Sequence, residues 1–314
     1  MLRLLAVAVF LIAGCKTVGP GAKPAAPRPK AEPAEPIPKA EPKPLPLPAP
    51  DAYKPLGLIL IGDMGTGTKG QYQVADAMGK YCGAELCSYA LGLGDNIYPD
   101  GVKNQHDKKF IKFFEKPYAS LKFPFYMTLG NHDLRGSWEA QVHYRSKRWL
   151  MPSRYYTVTH GNVQLWGIDS NLKAFQSPFS SKRQREWLEK SLAESKARYK
   201  IVFGHHPIYS SGSHGGNFMV ARYLKPLLIK YGCQFYVAGH DHDLELIEYK
   251  GVRQIISGAG GKLRKIKGGK HSLFAKSDLG FAHMLLEKDR VRLRFINARG
   301  SVLYEKLYKG IANK

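Results

Sequence analysis

From residue 56 onward, short apolar runs alternate with segments of helical pattern. The runs are LGLILIG (56–62), SYALGLG (88–94), FPFYMTLG (123–130), VQLWG (163–167), YKIVFG (199–204) and QFYVAG (234–239). Their length and their apolar, aromatic character predict buried strands. Helical patterns fall near 69–82, 104–117, 181–196 and 217–231. In the third of these, Trp187, Leu188 and Leu192 mark the apolar face. Such alternation predicts βαβ units and parallel strands. The last third of the chain carries closely spaced strand patterns instead: LELIEY, VRQIISG, FAHMLLE, VRLRFINA and VLYEKLY. Antiparallel or mixed pairing is expected there. Two sheets packed face to face, with helices outside, accommodate both halves of the pattern.

Residues 1–55 follow different rules. MLRLLAVAVFLIAGC has one early positive charge, Arg3, and a short apolar stretch over 4–13. That stretch is too short to span a bilayer and fits a signal peptide. It ends in Ile12-Ala13-Gly14-Cys15, which resembles the bacterial lipobox, in which the cysteine becomes the lipidated first residue of the mature chain. The expected products are a leader over 1–14 and a Cys15 anchor in the cell envelope. Residues 16–55 hold 13 of the chain's 20 prolines, and the unit Pro-Lys-Ala-Glu-Pro occurs at 29–33 and again at 38–42. Proline removes backbone donors and favours extended geometry, so a polyproline II spacer over 15–55 is expected, ahead of one domain over 56–314.

The strand ends carry the chemistry. Five of the runs finish in glycine followed by metal-ligand residue types: Gly62-Asp63-Met64-Gly65, Gly94-Asp95-Asn96-Ile97-Tyr98, Gly130-Asn131-His132-Asp133, Gly204-His205-His206-Pro207 and Gly239-His240-Asp241-His242. Taken singly, each reads as a turn or a core histidine. In open α/β sheets, however, loops at strand carboxyl ends converge on one crevice. Together, therefore, the five clusters predict Asp, Asn, His and Tyr side chains around one point.

In this order the motifs resemble the calcineurin-like metallophosphoesterases, and most of all the small, tartrate-resistant form of purple acid phosphatase. The resemblance covers essentially all of 56–314. It implies a four-layer αββα sandwich of two mixed sheets flanked by helices. It also implies a dinuclear metal centre, Fe³⁺ with Fe²⁺, Zn²⁺ or Mn²⁺, acting on phosphate monoesters. One metal would be held by Asp63, Asp95, Tyr98 and His242; the other by Asp95, Asn131, His205 and His240. By the same resemblance, His132 and His214 would contact the substrate, and iron bound to the Tyr98 phenolate would colour the protein violet. Two departures stand out. Ser213 occupies a position that is acidic in the mammalian form, and the stretch from Asn171 to Ser180 is shorter than the mammalian regulatory loop.

Such a centre suits an anionic ester. Two cations neutralise phosphoryl oxygens and lower the pKa of a bound water. The leaving alkoxide needs a proton, which His132 is expected to supply, oriented by Asp133 or a neighbouring backbone group. A supporting role behind the ligands is expected of His206. Charge adds one constraint: 48 Lys/Arg against 25 Asp/Glu give +23, and residues 56–314 alone hold 40 against 21, or +19. The domain itself thus favours anionic partners. Small phosphorylated substrates are the first reading. A phosphodiesterase acting on nucleotides or nucleic acid is the second, and a non-catalytic lipoprotein that binds anionic polymer the third. The basic stretch GKLRKIKGGKH (261–271) reads either as a solvated loop or as an active-site rim. Four cysteines exclude a disulfide-dense scaffold. Export would permit a local Cys82–Cys87 disulfide, leaving Cys233 unpaired on an expected buried strand.

Overall fold

The computed structural model describes residues 54–171, 178–267, 269 and 271–311, with backbone alone at 178–181. The expected leader, Cys15, the proline-rich spacer and most of 171–180 lie outside the described residues. No helix of the described residues is long and apolar enough to cross a membrane.

Two seven-stranded sheets face each other. The first is built around β1 (Leu56–Ile61), β2 (Tyr89–Leu93), β3 (Phe125–Thr128) and β4 (Trp149–Leu150), which run parallel. On the other flank of β1 come β12 (Gly280–Leu286), β13 (Arg290–Asn297) and β14 (Val302–Lys309), all antiparallel to their neighbours. In the second sheet, β6 (Val163–Gly167), β7 (Tyr199–Phe203), β8 (Phe235–Ala238) and β10 (Val252–Ser257) are parallel. Antiparallel β5 (Tyr156–His160) closes one side, and β9 (Leu244–Tyr249) with β11 (Ser272–Lys276) closes the other. This is the mixed-sheet sandwich expected from the pattern.

The period-two geometry of a strand explains the layers. In β1, Leu58 and Leu60 join Leu91, Leu93, Phe203, Phe235 and Ile255 in the core between the sheets. Ile59 and Ile61 point the other way, against Val74 and Met78 of α1 (Lys69–Ala84). The second sheet repeats the scheme. Leu165, Ile201 and Val237 face inward. Trp166, Val202 and Tyr236 face outward, onto α3 (Pro178–Glu194) and α4 (Phe218–Lys230). Strands buried on both faces read as continuous apolar runs, which is why the sequence displays them so clearly. Each such side chain contributes roughly 1.5–3 kcal/mol of burial. Ser257 then pins one sheet to the other: its hydroxyl donates to the Leu60 carbonyl at 2.7 Å and accepts from Ala282 N at 3.0 Å.

Several local expectations change. The helix expected at 104–117 is instead a set of turns ending in a π-helical segment, Ile111–Glu115, in which Lys116 N donates to Ile111 O. The Asp107 carboxylate accepts from Lys103 N at 2.9 Å and, as a cap, from Lys109 N at 3.0 Å, so the turns before it end there and the helical backbone starts only after it. Phe110 and Phe114 still pack edge-on against Trp149, at 5.3 and 4.9 Å. A short α2 (Trp138–His143), capped by the Ser137 hydroxyl, and the strands β4, β5 and β11 have no counterpart among the expected elements. Cys82 and Cys87 form a disulfide between α1 and β2. Cys233 is free and buried, but in the turn ahead of β8, not on a strand.

Candidate metal centre

All five glycine-terminated runs prove to be parallel strands, namely β1, β2, β3, β7 and β8. Their carboxyl-terminal loops meet at one end of the sandwich. The approach is so close that side chains are excluded at key positions. Gly94 has φ +81, and a Cβ there would lie 2.6 Å from Gly130 N and 2.8 Å from His205 Nδ1. A Cβ on Gly130 would lie 2.1 Å from Asp95 Oδ1.

Three of the converging residues adopt left-handed backbone despite carrying side chains: Asp63 at φ 55, Asp95 at φ 49 and His240 at φ 71. Each costs of order 1 kcal/mol or more and persists only where neighbours enforce it. They enforce it on one another. Asp63 N donates to Gly94 O at 3.0 Å, His240 N to Asp63 Oδ2 at 2.8 Å, and His132 N to Asp95 Oδ1 at 2.8 Å.

The donor atoms fall into two groups that share one residue. In the first, Tyr98 Oη stands 3.0 Å from Asp63 Oδ1, 2.9 Å from Asp95 Oδ2 and 3.3 Å from His242 Nε2. In the second, His205 Nε2 stands 3.6 Å from Asp95 Oδ1, 3.1 Å from Asn131 Oδ1 and 3.1 Å from His240 Nδ1. Asp95 therefore turns one oxygen to each group. His205 Nδ1 donates to the Leu93 carbonyl at 2.8 Å, which leaves Nε2 with its lone pair facing the group.

Whether these residues fit metal ions can be tested on the donors themselves. Asp63 and His205 are fully buried, and Asp95 and His242 nearly so. Burial, together with the Asp95 charge, pushes the Asp63 carboxyl up to about 8. Burial and the two carboxylates push the Tyr98 phenol upward as well. Burial, then the surrounding histidines, holds His240 far below the ordinary imidazole range; burial, then Arg264, brings His242 down to about 4. His240 and His242 are thus neutral ligands, and the acidic oxygens require cationic company that neither of them supplies. The oxygen-rich first group suits a hard ion, and the imidazole and amide group a softer divalent one.

The remaining sequence candidates take distinct places. The ring of His132 lies 4.5 Å from that of Tyr98, with Nε2 3.9 Å from Asp95 Oδ2. Its Nδ1 bonds to the Pro99 carbonyl, so a backbone group orients it. Asp133 does not. Its fully buried carboxylate accepts from Asn96 N, Ile97 N, Gly130 N and Gln141 Nε2, and so staples the loops after β2 and β3 together. His206 is buried behind His205 and His240, with Nδ1 3.1 Å from Ser170 Oγ. His214 is exposed and stacks on His240 at 4.4 Å, and its backbone N donates to Asp241 Oδ1 at 2.9 Å. Sequence reasoning passed over Ser170 and Asp241 as holders of these histidines. Asp241 lay within the Gly-His-Asp-His motif, but Ser170 carried no signal.

The model of one family, calcineurin-like phosphoesterases, matches residues 57–244. The chain belongs to that family. It is 30% identical to the tartrate-resistant acid phosphatase type 5 of Oryctolagus cuniculus over 296 residues, covering 80% of this chain and 90% of that one. It is 31% identical to purple acid phosphatase 3 of Arabidopsis thaliana, over 81% of this chain and 78% of that one. Among solved structures, GAP50, "the anchor in the inner membrane complex of Plasmodium", matches with a TM-score of 0.74 and 28% identity, over 83% of this chain and 90% of that one. Family membership and the sandwich fold agree.

Asp133→Ala tests the staple. Removing one acceptor from four buried donors should cost about 2–4 kcal/mol of stability and roughly 10–100-fold in metal affinity. Urea unfolding and metal titration of the purified variant measure both, and unchanged values in the two would contradict the assignment.

Proposed function

We propose that this chain is an exported, dinuclear-metal phosphomonoesterase of the acid phosphatase type. The observation that carries the reading is the bridging posture of Asp95, one oxygen toward each of two separate donor groups. Asp63, Asp95, Tyr98 and His242 would hold a ferric ion; Asp95, Asn131, His205 and His240 would hold Fe²⁺, Zn²⁺ or Mn²⁺. When bound, the two ions supply positive charge for the phosphoryl oxygens and an activated water.

The protein's own residues do the rest. Because Nδ1 of His132 is engaged by the Pro99 carbonyl, Nε2 alone is turned toward the centre. From there it gives its proton to the leaving oxygen as the phosphorus–oxygen bond breaks. One water is consumed, an alcohol and a phosphate are formed, and solvent returns the proton to His132. His214, held over His240 by Asp241, stands where it can hydrogen-bond the substrate's phosphate. The acid phosphatases among the relatives support this class of substrate. For the N-terminus, the lipobox at Cys15 and the proline-rich stretch behind it support an anchored domain held away from an envelope membrane.

Two outcomes follow. His132→Ala should keep both metal ions but lose roughly 10²–10⁴-fold in turnover of alkyl phosphates. Aryl phosphates with acidic leaving groups should lose much less. Equal losses on the two substrate types would mean that His132 positions phosphate without donating a proton. Separately, Cys15→Ser should leave the protein unprocessed or move it to the soluble fraction. A cleaved variant that still sediments with membranes would remove the anchor from the account.

A further inference from the structure

Beside the metal centre lies a second feature, the basic stretch that follows β10. It is fixed in place at both ends. Gly260 N donates to Gly62 O at 3.2 Å, and Arg264 N donates to the His242 carbonyl at 3.1 Å. Further along, Ile266 bridges to Gly212 and Lys267 N donates to Ser211 O at 2.8 Å. Beneath them, the buried Glu245 carboxylate takes hydrogen bonds from Ser211 N, Ser211 Oγ and Ser272 Oγ. One buried acid thus ties the basic stretch to the loop that carries His214.

This anchoring directs two cations at the centre. The Lys262 ammonium stands 3.8 Å from the centroid of the Tyr98 ring, the ring that His132 also packs against. Arg264 is held beside His242 by its own backbone, whose N–H donates to the His242 carbonyl. Both cations are exposed, and among the described residues neither is paired with a carboxylate. Exposed Arg290 and Lys230, by contrast, do have acidic partners. The unpaired pair thus lies on the Tyr98 and His242 side of the centre.

We propose that Lys262 and Arg264 form a second anion subsite, which selects phosphate esters and anhydrides whose leaving group carries its own negative charge. The inference rests on the phosphoester-hydrolase reading above. The ligand set, with Asp63 and Asp95 as carboxylates and Tyr98 as phenolate, carries three negative charges. Two divalent ions, or one trivalent and one divalent, therefore leave at most a small positive surplus. The phosphoryl group being transferred consumes it. A second anionic group on the substrate then needs separate cations, and Lys262 and Arg264 supply them on the side of His132. A neutral alcohol as leaving group gains nothing from them.

The test compares ADP, whose leaving group is anionic, with phenyl phosphate, on the metal-loaded full chain. The double variant Lys262→Gln/Arg264→Gln should lower the ratio of kcat/KM for ADP to that for phenyl phosphate roughly tenfold, chiefly through KM for ADP. Lys309→Gln, which removes an exposed cation at the amino-terminal end of β1, opposite the ligand loops, should leave the ratio at its wild-type value. Titration calorimetry supplies a readout without turnover: pyrophosphate should bind more tightly than orthophosphate to wild type, and the double variant should lose that preference. A ratio and a preference both within twofold of wild type, in a variant with an unchanged circular dichroism spectrum, would overturn the subsite while leaving the hydrolase reading intact. Failure of the wild type to hydrolyse either substrate would overturn the hydrolase reading instead. The pyrophosphate preference would then decide the subsite alone.

Discussion

Two carboxylates and a phenol are buried face to face at one end of this sandwich, and the rest of the site depends on that arrangement. Asp63, Asp95 and Tyr98 repel one another once ionised, and little water reaches them to moderate the repulsion. Holding them together costs free energy in the protein alone. Multivalent cations offset that cost. The same demand accounts for the three left-handed residues and for the glycines that permit the strand ends to touch. It also accounts for the Asp133 staple, which locks the loops after β2 and β3 before any ligand arrives. Such preorganisation converts binding energy into affinity without further ordering of the chain.

The fold makes this arrangement reachable from segments far apart in sequence. Parallel strands place their carboxyl ends on the same edge, so β1, β2, β3, β7 and β8 deliver ligands from residue 63 to residue 242 into one cluster. Antiparallel β9 and β12–β14 contribute no ligand from the expected set. Their part is to complete the sheets and the core between them, and in β9 to supply the buried Glu245 that fixes the rim. Local and global requirements agree, since the strands that bury both faces are also those that carry the functional loops.

Much of this was legible in the residues, for physical reasons. Strands covered on both sides are apolar at nearly every position, so β1, β2 and β8 stand out as unbroken runs and β7 as one broken only at Lys200. A glycine followed by Asp, Asn or His at a strand end is a local signal, and the structure brings all seven such ligand candidates together. Contacts between distant segments were not legible. Nothing near His132 in sequence indicates that Pro99 would orient it, and Asp133, its neighbour, serves other donors. Ser170 holds His206 across 36 positions. The basic run at 261–271 could be read as a solvated loop or as an active-site rim; only the structure puts Lys262 over the Tyr98 ring and bonds Arg264 N to the His242 carbonyl. The helix expected at 104–117 is shorter than its pattern, because the Asp107 side chain caps it only at Lys109.

The visible absorption spectrum of iron-loaded protein, wild type against Tyr98→Phe, tests the central claim most directly. If Tyr98, Asp63 and Asp95 form the hard-oxygen half of a dinuclear centre, wild type should show a broad visible band from phenolate-to-iron charge transfer. The phenylalanine variant, which keeps the ring and so the packing, should be folded and colourless. A wild-type protein that binds iron stoichiometrically yet stays colourless, or a variant that keeps the band, would contradict Tyr98 as a metal ligand and with it the assignment of the first donor group.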